Sequence, residues 1–251
     1  MTGLPKAILF DLDQTILSFG NRRLQLIEVA EQFADFFAPI PSGDAGVAIE
    51  TAFREFWSDE ARHKLWRFKL FEARVQIVTD LFESWKDQAP RLSTDVAIQF
   101  AERFHEYREA QAKFFPGALE AIEEFKRLGV KLALVTNGAA DAQREKIDRF
   151  DLSRRFDHVQ IEGEAGFGKP EERAYLHAME ILGVEAHETW MVGDNLEWEV
   201  AAPQRLGIYA IWHDHRGEGL PAGNSVVPDR TIRSLTELVP LERDQIGTME
   251  R

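Results

Sequence analysis

The chain is predicted to fold as an α/β protein, a parallel sheet covered by helices on both faces and interrupted after its first strand by an all-helical block. Three observations point there. After Pro116, short apolar runs bounded by Gly, Asn and Asp alternate with helical patterns. Those runs are continuously apolar, as expected of strands buried on both faces. From Ser18 to Lys113 the apolar residues recur at helical spacing, with no glycine between Gly46 and Gly117.

Taken in order, Lys6 to Asp11 reads as the first strand. The helical block follows, so residues 1–17 and 114–251 are expected to form the sheet domain and residues 18–113 the insertion. Within the block, Pro39, Pro41 and Gly43 are expected to separate the first two helices. Leu65, Phe68, Phe71, Val75, Val78 and Phe82 suggest a long apolar stripe. Ala118 to Leu128 reads as a helix with Leu119, Ile122, Phe125 and Leu128 on one face, stopped by Gly129. The remaining strands are expected at Lys131 to Thr136, Asp157 to Ile161, Thr189 to Val192 and Ile208 to Trp212. A weaker strand and helix, Arg230 to Leu238, closes the pattern, and the last residues are expected to fray.

Composition limits the function. With 251 residues, 44% of them apolar, the chain can bury a large core. A net charge of -13 argues against nucleic acid as a partner, since phosphate backbones are bound by clustered lysine and arginine. A small anionic substrate needs only local positive charge. The absence of cysteine excludes disulfides, thiolate metal sites and a cysteine nucleophile. No apolar run approaches the roughly 20 residues that span a bilayer, and Met1 to Lys6 does not read as a signal peptide, so the cytoplasm is the expected compartment.

Four segments carry candidate chemistry. The first strand ends Phe10-Asp11-Leu12-Asp13-Gln14-Thr15, placing two carboxylates at the carboxyl edge of a parallel sheet, where ligands bind. A second ends Val135-Thr136-Asn137-Gly138, with a hydroxyl, an amide and backbone donors suited to phosphate oxygens. Gly166-Phe167-Gly168-Lys169-Pro170 sets a lysine before a proline that fits the first turn of a helix. Met191-Val192-Gly193-Asp194 ends another strand, with Asn195, Glu197 and Glu199 following, and oxygen ligands of this kind suit Mg²⁺. Each segment alone also reads blandly, as a turn, a solvated loop lysine or an acid-rich helix start.

The ordered set resembles the haloacid dehalogenase (HAD) superfamily of phosphohydrolases over almost the whole chain, with the helical block where that family carries a cap of the first (C1) type. The resemblance implies a Rossmann-like core and a magnesium-dependent phosphatase acting on a small phosphorylated metabolite. By the same resemblance Asp11 is the nucleophile and Asp13 the general acid/base. Thr136 and Lys169 hold the transferring phosphoryl group, with Asn137 and Gly138 beside them. Asp194 ligates magnesium with Asp11 and the backbone carbonyl of Asp13, while Thr15 stabilises the turn. Glu199 stands where the family often has an aspartate, and a role through water is expected of it.

Negative charge beside Asp13 is expected to raise its pKa from about 3.9 toward neutrality. Its presence argues for phosphate over haloacid chemistry, since dehalogenases resembling this chain lack an aspartate there. A phosphotransferase or sugar-phosphate mutase, and a catalytically silent binding protein, are the alternatives. In the cap, Arg22, Arg23, Lys64, Arg67, Lys69 and Trp66 are candidate substrate contacts. His213-Asp214-His215 reads as a polar loop in preference to a metal site.

Overall fold

A computed structural model describes residues 3–240. The chain divides into two compact units, one formed by the residues up to Leu17 with those from Phe114 onward, the other by Ser18–Lys113.

In the first unit the strands are β1 (Ala7–Phe10), β4 (Lys131–Thr136), β5 (His158–Ile161), β6 (Thr189–Gly193), β7 (Tyr209–His213) and β8 (Arg230–Ile232). Two short strands, β2 (Leu17–Ser18) and β3 (Lys113–Phe114), pair where the chain leaves and re-enters this unit. The described residues form a six-stranded sheet in the order β5-β4-β1-β6-β7-β8, with every adjacent pair parallel. The order turns back at β1. From there the chain builds outward through β4 and β5, then returns to β1's other side with β6. Such a switch point opens a crevice at the carboxyl ends of the strands.

All four residues of β1 are fully buried, because neighbours on both sides and layers on both faces remove them from water. On one face Ala7, Leu9, Ala133, Val135 and Met191 pack with Tyr175, Ala178, Met179 and Leu182 of a helix spanning Glu172–Leu182. The alternate residues Ile8, Phe10, Leu132 and Leu134 are equally buried. The Ala118–Arg127 helix buries Ala118, Ala121, Ile122 and Phe125, leaving the expected Leu119 and Leu128 half-buried. The expected strand and helix at the chain's end become β8 and a single 3₁₀ turn, Leu235–Leu238. The fraying expected of the last residues concerns positions outside the described ones.

The second unit contains α1 (Arg22–Gln32), α2 (Ala34–Phe37), α3 (Ser42–Ser58), α4 (Glu60–Trp66), α5 (Leu70–Trp85) and α6 (Thr94–Ala110). The helices of the first unit continue the numbering as α7 (Ala118–Arg127), α8 (Ala140–Arg149), α9 (Glu162–Ala165), α10 (Glu172–Leu182) and α11 (Ala202–Arg205). The helical unit has its own aromatic core, in which Phe37 meets Phe82, Phe33 meets Phe100 and Phe53 meets Phe104 edge-on at 5.3–5.7 Å. Gly46 permits the approach of α1 to α3, since a Cβ there would lie 2.7 Å from the Ile27 Cα.

Two expectations need correction here. The apolar stripe from Leu65 to Phe82 is broken, because α4 ends at Trp66 and α5 begins at Leu70. Leu65 and Phe68 are exposed, and the buried row of α5 is Ala73, Ile77, Val78 and Phe82. The chain does break at Ala38–Pro41, but Gly43 lies inside the first turn of α3.

Candidate active site

The carboxyl ends of β1, β4 and β6 deliver the candidate residues to one edge. Asp11 follows β1, and its backbone N–H donates to the Val192 carbonyl at 3.0 Å, extending the ladder by one residue. Both oxygens of its buried carboxylate are held. Lys169 Nζ lies 2.7 Å from Oδ1, and the Thr15 hydroxyl donates to Oδ2 at 3.0 Å. Thr15 thus binds the carboxylate itself as well as the turn.

Lys169 is fully buried between two carboxylates, Asp11 and Glu199, each 2.7 Å from its ammonium. Burial by itself pushes that ammonium down, but the charges of Asp11 and Glu199 outweigh it and hold Lys169 above the ordinary lysine range. Glu199 reaches this position because Gly193, the last residue of β6, has no side chain. A Cβ there would lie 2.0 Å from Glu199 Cγ. The other Glu199 oxygen accepts the Asn195 N–H at 2.8 Å. Glu199 is thus paired with Lys169, a partner that sequence reasoning did not foresee. Burial pushes its carboxyl up to about 7, with Lys169 opposing and Asp11 reinforcing the shift.

The loop after β4 supports Lys169 in turn. Asn137 clamps the lysine's backbone, accepting its N–H at 2.9 Å and donating to its carbonyl at 2.6 Å. That spends the Asn137 amide, and the Gly138 N–H donates to Glu162 at 3.1 Å. Asn137 and Gly138, expected beside the phosphoryl group, thus also carry internal bonds that hold the Lys169 backbone and Glu162. Thr136 is buried, and its hydroxyl makes only a 3.5 Å approach to the Asn137 carbonyl. Pro170 precedes α10 instead of occupying its first turn, and the Lys169–Pro170 bond is cis.

Asp13 has partners that sequence reasoning did not foresee. Its carboxylate meets an ammonium, with Lys146 Nζ at 2.7 and 2.6 Å from the two oxygens, and Gln143 Nε2 donates to it at 3.0 Å. Both partners lie on α8, three residues apart and so on one face. Sequence reasoning missed them, because polar residues on a helix ordinarily read as solvated.

Asp194 follows β6, its carbonyl accepting the Trp212 indole N–H at 2.8 Å. Burial pushes its carboxyl well above the usual range, Asp11, Glu199 and Asp13 add to the shift, and Lys169 opposes it. Acids crowded in this way suit a hard divalent cation, and Mg²⁺ takes oxygen donors with only one or two carboxylates. Among the described residues no three His, Cys, Asp or Glu side chains form a metal cage. The expected set needs only the carboxylates of Asp11 and Asp194, with a backbone carbonyl.

Elsewhere, His213 ends β7 buried, and Asp214 accepts the N–H groups of Glu218 and Gly219 at 3.1 and 2.8 Å. Of the basic cap candidates, Arg22 lines a cavity of the helical unit, with Arg74 and Arg108, which sequence reasoning passed over. Arg23, Lys64, Arg67 and Lys69 are not among its walls.

Fold and site together define a doubly wound α/β enzyme with a lysine-held carboxylate at the switch point. The family model of haloacid dehalogenase-like hydrolases matches residues 5–207, and the chain belongs to that family of hydrolases. The phosphoserine phosphatase of Thermus thermophilus is 30% identical, covering 93% of this chain and 97% of its own. The glyceraldehyde 3-phosphate phosphatase of Methanocaldococcus jannaschii is 25% identical, covering 95% and 97%. Among solved structures, the HAD-hydrolase YfnB of Bacillus subtilis, bound to magnesium, shares the fold with a TM-score of 0.68 at 21% identity, covering 94% and 97%. Among the described residues no helix is long and apolar enough to cross a membrane.

Proposed function

We propose that the chain is a magnesium-dependent phosphatase that hydrolyses a small phosphorylated metabolite through an aspartyl-phosphate on Asp11. The observation carrying this reading is the Asp11 carboxylate, fixed by Thr15 through one oxygen and by Lys169 through the other. The names of the full-length relatives support phosphate esters as the substrate class.

Asp11 attacks phosphorus, forming an O–P bond as the ester P–O bond breaks. The departing alkoxide takes a proton from Asp13. Water then attacks the phosphoaspartate and gives a proton to Asp13, releasing inorganic phosphate and restoring Asp11. Asp13 is paired with Lys146. Acting as an acid first requires that pair to open. In this reading Lys169, paired with Asp11, orients the nucleophile and holds a phosphoryl oxygen, and the Thr136 hydroxyl holds another. Asp11, Asp194 and the Asp13 carbonyl would hold Mg²⁺, which supplies charge neutralisation between the carboxylate and the phosphate dianion when bound.

The test is hydrolysis of a panel of phosphomonoesters with magnesium present. Wild type is expected to release phosphate, and Asp11→Asn to release none while keeping its circular dichroism spectrum. Undiminished turnover in that variant would sink the covalent mechanism.

A further inference from the structure

Gln143 of α8 is 4% exposed, and its amide nitrogen makes two bonds, donating at 3.0 Å to Asp13 Oδ2 and at 2.5 Å to the Asn137 carbonyl. Two acceptors around one atom identify it as the nitrogen, which fixes the orientation of the amide. Among the described residues the Gln143 oxygen, also buried, has no hydrogen-bond partner. An apolar side chain of the same shape would fill the space without that cost, so packing does not account for a glutamine here; its two donations do. Gly138 makes room for it, since a Cβ there would lie 3.1 Å from the Gln143 nitrogen.

The two bonds join parts of the site that are far apart in the chain. Asp13 lies 130 positions from Gln143. On the other side the Asn137 side chain clamps the Lys169 backbone, and Lys169 Nζ meets Asp11. The backbone from Asp11 to Asp13 closes the circuit, so Asp11, Lys169, Asn137 and Asp13 are tied into one ring through Gln143.

The two ends of that tie differ in firmness. Asn137 directly follows β4, whose pairing with β5 runs to Thr136 opposite Ile161. The Asp13 end is looser, its side chain being 36% exposed. Lys146 also meets that carboxylate, but an ammonium on a flexible stem attracts without aiming. Gln143, buried and anchored on a backbone carbonyl, supplies the direction.

We propose that Gln143 is a positioning residue for Asp13, fixing the carboxylate that gives the leaving group its proton relative to the phosphoryl group held by Lys169. The proposal rests on the phosphatase reading above. Position matters to this step because a proton donor acts only within about 2.6–3.2 Å of the atom it serves.

Leaving-group dependence tests it. Phenoxide leaves phenyl phosphate poorly without a proton, whereas p-nitrophenoxide, a much weaker base, needs little help. With magnesium present, Gln143→Met is expected to lower kcat/KM about tenfold or more on phenyl phosphate and less than about threefold on p-nitrophenyl phosphate. Combined with Asp13→Asn it should add no further loss on phenyl phosphate, since it acts through that carboxylate. Gln143→Asn, which keeps the amide but withdraws it by one methylene, should show the same selective loss, with circular dichroism confirming both folds. Equal effects on the two esters, or losses that add in the double variant, overturn the proposal. The carbon-13 carboxyl resonance of Asp13, identified by its disappearance in Asp13→Asn, needs no turnover. It is expected to shift in Gln143→Met, and an unmoved resonance likewise overturns the proposal. Failure of wild type to hydrolyse either ester, with that resonance shifted, would count against the phosphatase reading alone.

Discussion

Lys169 shows how the site is set at the scale of single residues. A fully buried ammonium is tolerable only when paired, and here two carboxylates compensate it. Asp13 has the reverse arrangement, a half-exposed carboxylate held by a lysine from α8. On the proposed mechanism, Lys146 is a positioning residue for Asp13. Lys146→Met is expected to lower kcat about tenfold and to displace a limb of the pH–kcat profile, with Lys146→Arg recovering part of the loss. Asp13→Asn should cost the larger 10²–10⁴-fold typical of general acid/base loss. An unaltered pH profile in Lys146→Met would remove the lysine from the mechanism.

His213 yields a stability prediction at the same scale. Burial first, and then the neighbouring His215, lower its pKa to about 4. The unfolded chain, with histidine near its ordinary value of about 6.5, therefore binds the extra proton between pH 4 and pH 6.5. Its contribution is fully present above pH 6.5 and is lost as pH falls toward 4, a change on the order of 3 kcal/mol. Urea unfolding at pH 4.5 and pH 7 should show a smaller acid loss in His213→Phe than in wild type. Equal losses would contradict the assignment.

At the scale of elements, the turn between β6 and α11 determines whether Glu199 reaches Lys169. The Leu196–Ala201 segment is π-helical and begins under the Asn195 cap, whose side chain accepts the N–H groups of Glu197 and Trp198. Gly193→Ala would drive a Cβ into Glu199. Overpacking of this kind costs about 1–3 kcal/mol, so a lower thermal midpoint and at least tenfold lower kcat are expected. Wild-type values for both would show that the strand end can shift. In the helical unit, Phe100 is buried against Phe33, Phe37 and Phe82. Phe100→Ala should destabilise that unit by about 3–5 kcal/mol in denaturant unfolding.

For the whole molecule, the strand order matters more than any one motif, because it brings the ends of β1, β4 and β6 together at the switch point. Four acids and Lys169 then share one edge, and the surplus negative charge there suits a cation. Removing divalent metal with a chelator is expected to abolish monoester hydrolysis and added magnesium to restore it. Full activity in excess chelator would refute the metal dependence.

The sequence by itself determined the α/β class, because continuous apolar runs and helical periodicity report burial locally. It also placed Asp11, Thr136 and Asp194 at or near the ends of strands, and Lys169 before a proline at the approach to a helix. The break between α4 and α5 was hidden, since Leu65 and Phe68 continue the helical spacing while lying exposed. Lys146 and Gln143 were illegible because nothing in a polar helix reveals that it faces residue 13. Only the tertiary structure decided those pairings, along with that of Glu199 with Lys169 and the gathering of three arginines in the helical unit. The reason is physical: these are through-space contacts between residues far apart in the chain, Lys169 and Asp11 lying 158 positions apart, and local periodicity carries no information about them.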